Sequence, residues 1–389
     1  MTRMGKAKRL KLMKSKGKRY TSSGVKKNSK NNSENIETKR RGKYWRARSN
    51  NGITKSIIAD NNSRRKVTKS SKMISSDNNN PEELLQTTSI NQDNPNQKKP
   101  ILMFIAIMSA PQRIHRRNAL RRSWLRQCQD YNTSCYMFTD AFDTKEQRLP
   151  EEIYVTLEQE KFLHKDLILS QSPGGVNFAR RYLWIINWAN ARYTFDFLLR
   201  VDDDYFICMD RLFLELPYRK TVKKLYWGHV HCYPPGGVRV DEGFVIVSND
   251  LVQHFIQEQN KTLMCHPFGD QAMAMWINDI ENVTYFGDRR VHYDVTANNP
   301  IIEKHLELCK DFLALHGSYP IQVEQYWQKH LVTPSKRYPV PEISYPCGDQ
   351  DRKYNKTNFQ GMYHADPVPC KDSPVWNIGD VYVGRSGKV

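Results

Sequence analysis

The sequence predicts an α/β domain, a mostly parallel sheet with helices on both faces, preceded by a disordered basic tail. Two observations carry that expectation. The formal net charge is +19 over 389 residues, and the whole excess lies at the start: residues 1–100 hold 26 Lys and Arg against 7 Asp and Glu, whereas residues 101–389 hold 34 of each. Past that boundary, short apolar runs alternate with helical stretches of about 10–15 residues, the pattern of a sheet built from strand–helix units.

Residues 1–98 are rich in Asn, Ser, Lys and Arg, hold few aromatics and show no apolar period. Such a segment buries too little surface to offset the entropy of ordering it, so it is expected to be disordered. The run KAKRLKLMKSKGKR at 6–19 has the look of a nuclear-localisation or nucleic-acid patch. No zinc-finger or RNA-binding signature follows it, so a solvated, stem-like tail is the favoured reading and a nucleic-acid-binding protein a remote alternative.

The elements then follow in order. ILMFIAIM at 101–108 is far shorter than the roughly 20 residues a bilayer span needs and reads as a buried strand. QRIHRRNALRRSWLRQ (112–127) is a basic helix with Ile114, Ala119, Leu120 and Trp124 on its packed face. SCYMFTD (134–140) is a strand, EEIYVTL (151–157) a further strand, and 177–192 a helix with Asn177 as its cap. FDFLLRV (195–201), KLYWGHV (224–230), EGFVIVS (242–248) and VTYFG (283–287) are strands, with helices over 249–259 and 269–280. These elements bound a domain of 99–330; residues 331–389, rich in Pro, Tyr and Gly, read as an irregular extension.

All eight cysteines fall after residue 127 and none makes a Cys-x-x-Cys metal spacing. An even count suits disulfides in a lumenal domain, with Cys128–Cys135 and Cys347–Cys370 as the pairs that would close short loops; buried free thiols in a cytosolic protein are the alternative. Asn-x-Ser/Thr triplets at Asn31, Asn61, Asn132, Asn260, Asn282 and Asn355 lean toward secretion, although polar chains produce such triplets by chance.

The run FDFLLRVDDDYFICMDRL (195–212) carries the chemistry. In a parallel α/β sheet ligands sit at the carboxyl ends of strands, and Asp202, Asp203 and Asp204 stand at such an end. Three adjacent carboxylates repel, so either water splays them or a cation compensates them. In an extended segment Asp202 and Asp204 share a face and Asp203 turns away. Two hard oxygen ligands suit Mn²⁺ or Mg²⁺ holding a diphosphate.

RRNALRRSW (116–124), VDDDYFICMDRL (201–212), YWG (226–228) and Tyr233-Pro234-Pro235 resemble the signatures of the β-1,3-galactosyltransferase family, glycosyltransferase family 31. The resemblance spans roughly 100–295 and implies a GT-A-type, Rossmann-like fold. It further implies an inverting, metal-dependent hexosyltransferase that moves galactose or N-acetylglucosamine from a UDP-sugar to an acceptor glycan in β-1,3 linkage. Its metal would be Mn²⁺ (or Mg²⁺), held by Asp204 and Asp202, with a His supplied downstream. His292 is the first candidate for that His, and His266, His229 and His231 stand behind it.

Donor contacts would come from Asp202, Asp203, Glu242 and the arginines Arg116, Arg117 and Arg121, which on chemistry alone are equally well read as surface residues of an amphipathic helix. Asp270, in CHPFGDQAMAMWIND (265–279), takes the place of the general base, though an Asp in a first helical turn also simply favours the helix dipole. Two segments depart from the family pattern: Gly-Gly-Gly-Tyr appears as Asp241-Glu242-Gly243-Phe244, and Glu-Asp-Val as Gly269-Asp270-Gln271. They leave a catalytically dead relative that binds UDP-sugar or glycan as an alternative. Members of the family are type II Golgi membrane proteins, whose anchor has no counterpart in this sequence.

Overall fold

The computed structural model describes residues 97–233, 237–293, 307–332, 338–348 and 365–377. Apart from its last two residues, the tail expected over 1–98 lies outside the described residues, as do Pro234 and Pro235.

Strand β1 (Lys99–Met108) explains the architecture. Met103, Ile105 and Ile107 enter one core, while Ile101, Phe104, Ala106 and Met108 enter a second on the opposite face. A strand apolar on both sides must be covered on both sides. Helices α1 (Ile114–Arg122) and α2 (Glu151–His164), with strands β2 (Thr133–Asp140) and β3 (Leu167–Ser170), follow it in the chain. Then come α3 (Phe178–Arg192), β4 (Tyr193–Asp202), β5 (Phe206–Ile207), α4 (Met209–Arg219), β6 (Leu225–Tyr233), β7 (Gly237–Ser248) and α5 (Asn249–Glu258). The last elements are β8 (Met264–Cys265), α6 (Gly269–Asn278), β9 (Thr284–Gly287), β10 (Val291–His292), β11 (Ala314–Leu315), α7 (Pro320–Val332) and β12 (Val368–Pro369).

The main sheet has seven strands in the order β3-β2-β1-β4-β7-β6-β9. All are parallel except β7, which is antiparallel to both neighbours. Leu120, Leu157, Leu212 and Val323 bring α1, α2, α4 and α7 to one core. Ile186, Phe255 and Met273 bring α3, α5 and α6 to the other. The α/β class, with a mostly parallel sheet and helices on both faces, is the one the sequence predicts.

Two details differ from the sequence reading. The segment 151–157 is the start of helix α2, not a strand. Its β-branched and aromatic residues favour a strand locally, but Glu151 and Glu152 in the first turn complement the helix dipole, and only Leu157 and Glu160 are buried along the helix. Glu160 repays that burial by accepting hydrogen bonds from Arg117 Nε (2.8 Å) and Nη2 (2.7 Å).

The cysteines pair as Cys128–Cys135, Cys208–Cys309, Cys232–Cys347 and Cys265–Cys370. Cys347 and Cys370 are therefore not partners. Strand β12 lies antiparallel to β8, which sets Cys370 beside Cys265. The 338–348 segment runs past β9, where Gly287 N donates to Ser344 O at 3.0 Å, and reaches Cys232 on the neighbouring β6.

Among the described residues no helix is long and apolar enough to cross a membrane. Asn132, Asn260 and Asn282 are exposed, while Asn31, Asn61 and Asn355 lie outside the described residues.

Candidate active site

The acidic run forms a turn between β4 and β5, at the carboxyl end of the central strand. The elements around it hold each carboxylate differently. Asp203 is buried and turned back to the β1–α1 junction: Ser109 Oγ donates to it at 2.7 Å, and Arg113 and Arg116 pair with it at 3.2 and 3.0 Å. Arg116 Nη1 also reaches Asp204 Oδ2 at 3.0 Å. Trp124 Nε1 donates to the carbonyl of Tyr205 at 3.0 Å. The arginine-rich helix motif and the aspartate motif, about 80 residues apart in sequence, are thus parts of one device, the first a frame for the second.

Asp202 points elsewhere, 3.0 Å from Arg200 Nη2, with a third of its side chain exposed. Burial and the neighbouring Asp204 push its carboxyl up to about 6 against the pull of Arg200. Asp204 Oδ1 is buried and makes no hydrogen bond. It faces His316 Nε2 at 3.4 Å. Burial works to raise the Asp204 carboxyl, and His316 and Arg116 overcome it, holding it at about 2. The His316 imidazole is lifted to about 9: burial opposes its charge, but Asp204 and the Tyr293 carbonyl favour it.

Sequence reasoning missed His316. It follows β11, a two-residue strand that pairs antiparallel with β5 and parallel with β10. That small sheet, closed by the Cys208–Cys309 disulfide, carries residue 316 back to residue 204. The ring of His316 also stacks on Tyr205 at 4.6 Å. A two-residue strand has no periodicity to read; the usable signal was His316 itself, in a short apolar run (FLALH). His292 lies on β10, its ring against Phe312, and its carbonyl accepts from His316 N at 2.9 Å. His292 thus lies on the strand beside the one that leads to His316. His266 lies elsewhere, at the approach to α6, where its Nδ1 accepts from Phe268 N.

Of the three candidate arginines, Arg116 alone meets the acidic turn. Arg117 is committed to Glu160, Ser109 and the carbonyls of Ala110 and Pro111. Arg121 is committed to Asp166, Glu160 and Asn118.

A second carboxylate cluster lies across Arg200. Strand β7 bulges: Val240 pairs with Val230, but Val245 pairs with Gly228, so Asp241, Glu242 and Gly243 fall within a loop-out of the ladder. A Cβ on Gly228 would lie 2.5 Å from Phe244 O and 2.6 Å from Val240 Cγ1, so only glycine fits beside the bulge. The bulge sends Asp241 to His231 Nε2 (3.0 Å) and Glu242 to the start of α6, where Gly269 N donates to it at 2.7 Å. Burial, with Asp270 and Asp202 near, pushes Glu242 up to about 8 against the pull of Arg200, 3.9 Å away. Asp270, in the first turn of α6, accepts from Arg239 Nε at 2.6 Å and from Gln271 N at 2.7 Å.

The donor set of Asp202, Asp204 and His316 suits a divalent cation that would take the place of the proton on His316 Nε2: two carboxylates, one with a buried oxygen facing that nitrogen, and one imidazole. Among the described residues, no three such side chains form a ready-made cage, and Asp202 is paired with Arg200.

A family model described as Galactosyltransferase matches residues 115–236, a span that contains the frame helix, the acidic turn and YWG. The chain is 29% identical over 242 residues to beta-1,3-galactosyltransferase 6 of Mus musculus, covering 54% of this chain and 71% of that protein. It is 23% identical over 257 residues to hydroxyproline O-galactosyltransferase GALT6 of Arabidopsis thaliana, covering 59% of this chain and 35% of that one. A solved glycosyltransferase involved in glycosylation of the major capsid of PBCV-1 aligns with a TM-score of 0.31 and 17% identity, over 59% of this chain and all of that one.

Family match and relatives define a glycosyltransferase. Within that class, the family model and the mouse relative support the β-1,3-galactosyltransferase family, whose signatures the sequence motifs resemble.

Proposed function

We propose that this glycosyltransferase moves a hexose, galactose or N-acetylglucosamine, from a UDP-sugar to a glycan acceptor with inversion, in β-1,3 linkage and with a divalent cation, Mn²⁺ or Mg²⁺. The observation that carries the reading is the pairing of His316 with Asp204 at the end of β4, next to Asp202. These three would hold the cation, which when bound would neutralise charge on the departing diphosphate. Arg116 steadies Asp204 from behind, and Asp203 locks Arg116 in place. Asp270 would take the proton from the attacking hydroxyl, its orientation fixed by Arg239 and by its place in the first turn of α6. Glu242 would line the donor side of the site.

The same reading puts the domain in the Golgi lumen, tethered as a type II membrane protein. Four disulfides and exposed sequons at Asn132, Asn260 and Asn282 support it.

The test is transfer by the purified protein from UDP-galactose and UDP-N-acetylglucosamine to galactose- and xylose-terminated glycosides, with the product linkage read by NMR. A β-1,3 product formed with Mn²⁺ and lost with chelator is expected. Transfer that ignores the chelator, or another linkage, would contradict the proposal.

A further inference from the structure

Beside the acidic turn lies an aromatic surface that the proposed donor chemistry leaves unused. Tyr293 follows β10 and stacks on His229 of β6, ring centroids 3.7 Å apart at 26°. His231, on the same strand, meets Tyr293 edge-on at 5.1 Å and is held by Asp241 at 3.0 Å. Tyr293 is 40% exposed, so the stack is open to water on one side.

Backbone and side chain of Tyr293 serve different neighbours. Its carbonyl accepts from His316 Nδ1 at 2.6 Å, which fixes the imidazole that faces Asp204. Its ring points instead to His229. The aromatic surface is therefore attached directly to the proposed cation site without being part of it.

The chemistry of the surface selects its ligand. A pyranose has a face of C–H groups and a rim of hydroxyls. A flat, half-exposed aromatic pair covers the first, and a fixed His–Asp pair beside it serves the second, a pairing of apolar body and polar handle that suits an amphipathic ring. The His229 ring is neutral near pH 7, pushed down to about 4 by burial and by His231. A neutral stack does not attract a diphosphate. We propose that Tyr293 and His229 form the platform for the acceptor sugar ring, with Asp241 and His231 receiving one of its hydroxyls.

This platform rests on the transferase reading, and the experiment separates the two. In transfer assays Tyr293→Ala should raise the acceptor KM about tenfold or more, while the Kd for Mn²⁺–UDP stays within about twofold of the parent; Tyr293→Phe, which keeps the ring, should recover most of the acceptor affinity lost in Tyr293→Ala. An unchanged acceptor KM would overturn the proposal. Weakened UDP binding with an unchanged acceptor KM would assign the stack to the uracil ring and also overturn it.

Saturation-transfer NMR with methyl β-galactoside and methyl β-xyloside, in the presence of Mn²⁺–UDP, supplies a readout that needs no turnover. Signal on the ring C–H protons that is lost in Tyr293→Ala supports the platform even if transfer itself fails. No signal with the parent protein would sink it even if transfer succeeds.

Discussion

Two carboxylate clusters flank Arg200, and one member of each, Asp204 and Glu242, is driven in the opposite direction to the other. Arg200 lies 3.0 Å from Asp202 on one side and 3.9 Å from Glu242 on the other. On the acidic turn, His316 and Arg116 outweigh burial, and Asp204 stays ionised down to about pH 2. At the start of α6, burial prevails over Arg200, and Glu242 takes up its proton below about 8. Identical chemical groups thus become a permanent anion suited to a cation and a carboxyl that is largely neutral at physiological pH. The difference lies in how many cationic partners each carboxyl was given.

The largest effect should come from within the α6 cluster. Asp270→Asn is expected to lower kcat by about 10²–10⁴, the usual contribution of a positioned proton acceptor, while Mn²⁺–UDP binding stays intact. Single-turnover assays beside calorimetry would separate these. A fall in both together would make Asp270 a binding residue and blur the contrast between the clusters.

A second break acts on the other side. The Cys208–Cys309 disulfide closes a sequence separation of 101 residues and staples β5 to the segment before β11. Replacing both cysteines by Ser should cost about 2–5 kcal/mol, measured by denaturant unfolding. It should also weaken Mn²⁺–UDP binding more than acceptor binding, because it loosens His316. Equal loss of both would mean that the small sheet does no more than stabilise the whole domain.

The smallest effect sharpens the comparison through pH. Glu242 has a folded pKa near 8, above the ordinary glutamate value of 4.5. Between those values the folded state binds more protons than the unfolded chain, so this group makes stability fall as pH rises from about 4.5 to about 8 and leaves it flat beyond. Glu242→Gln keeps an acceptor for Gly269 N and removes that slope. Its Tm relative to the parent should rise progressively from pH 5 to pH 8; a constant difference would mean that Glu242 is already ionised in the fold.

The parts of the molecule legible in the sequence are those where one local signal sufficed. Strand β1 announced itself because eight consecutive apolar residues fill two cores, and Asp202–Asp204 because three charges ended such a strand. Helix α2 was read as a strand because Ile153, Tyr154 and Val155 favour strands locally, whereas its decisive partner, Arg117 on Glu160, lies 43 residues away. His316 was passed over for His292 because its approach to Asp204 depends on two-residue strands and a disulfide. The Asp241-Glu242-Gly243 departure was visible, but the bulge that points its two acids to different partners was not. Arg116, Arg117 and Arg121 were indistinguishable as a basic run; their partners separate the one that meets the aspartates from the two that hold the frame.

The central claim is that the acidic turn with His316 holds a cation on a diphosphate. Isothermal titration of UDP into the protein with Mn²⁺, and again with chelator, tests it most directly, comparing the parent with the Asp202→Asn/Asp204→Asn double variant. Binding that requires Mn²⁺ in the parent and is lost in the double variant, with the thermal unfolding transition retained, is the predicted result. Undiminished Mn²⁺-dependent UDP binding by the double variant would contradict it.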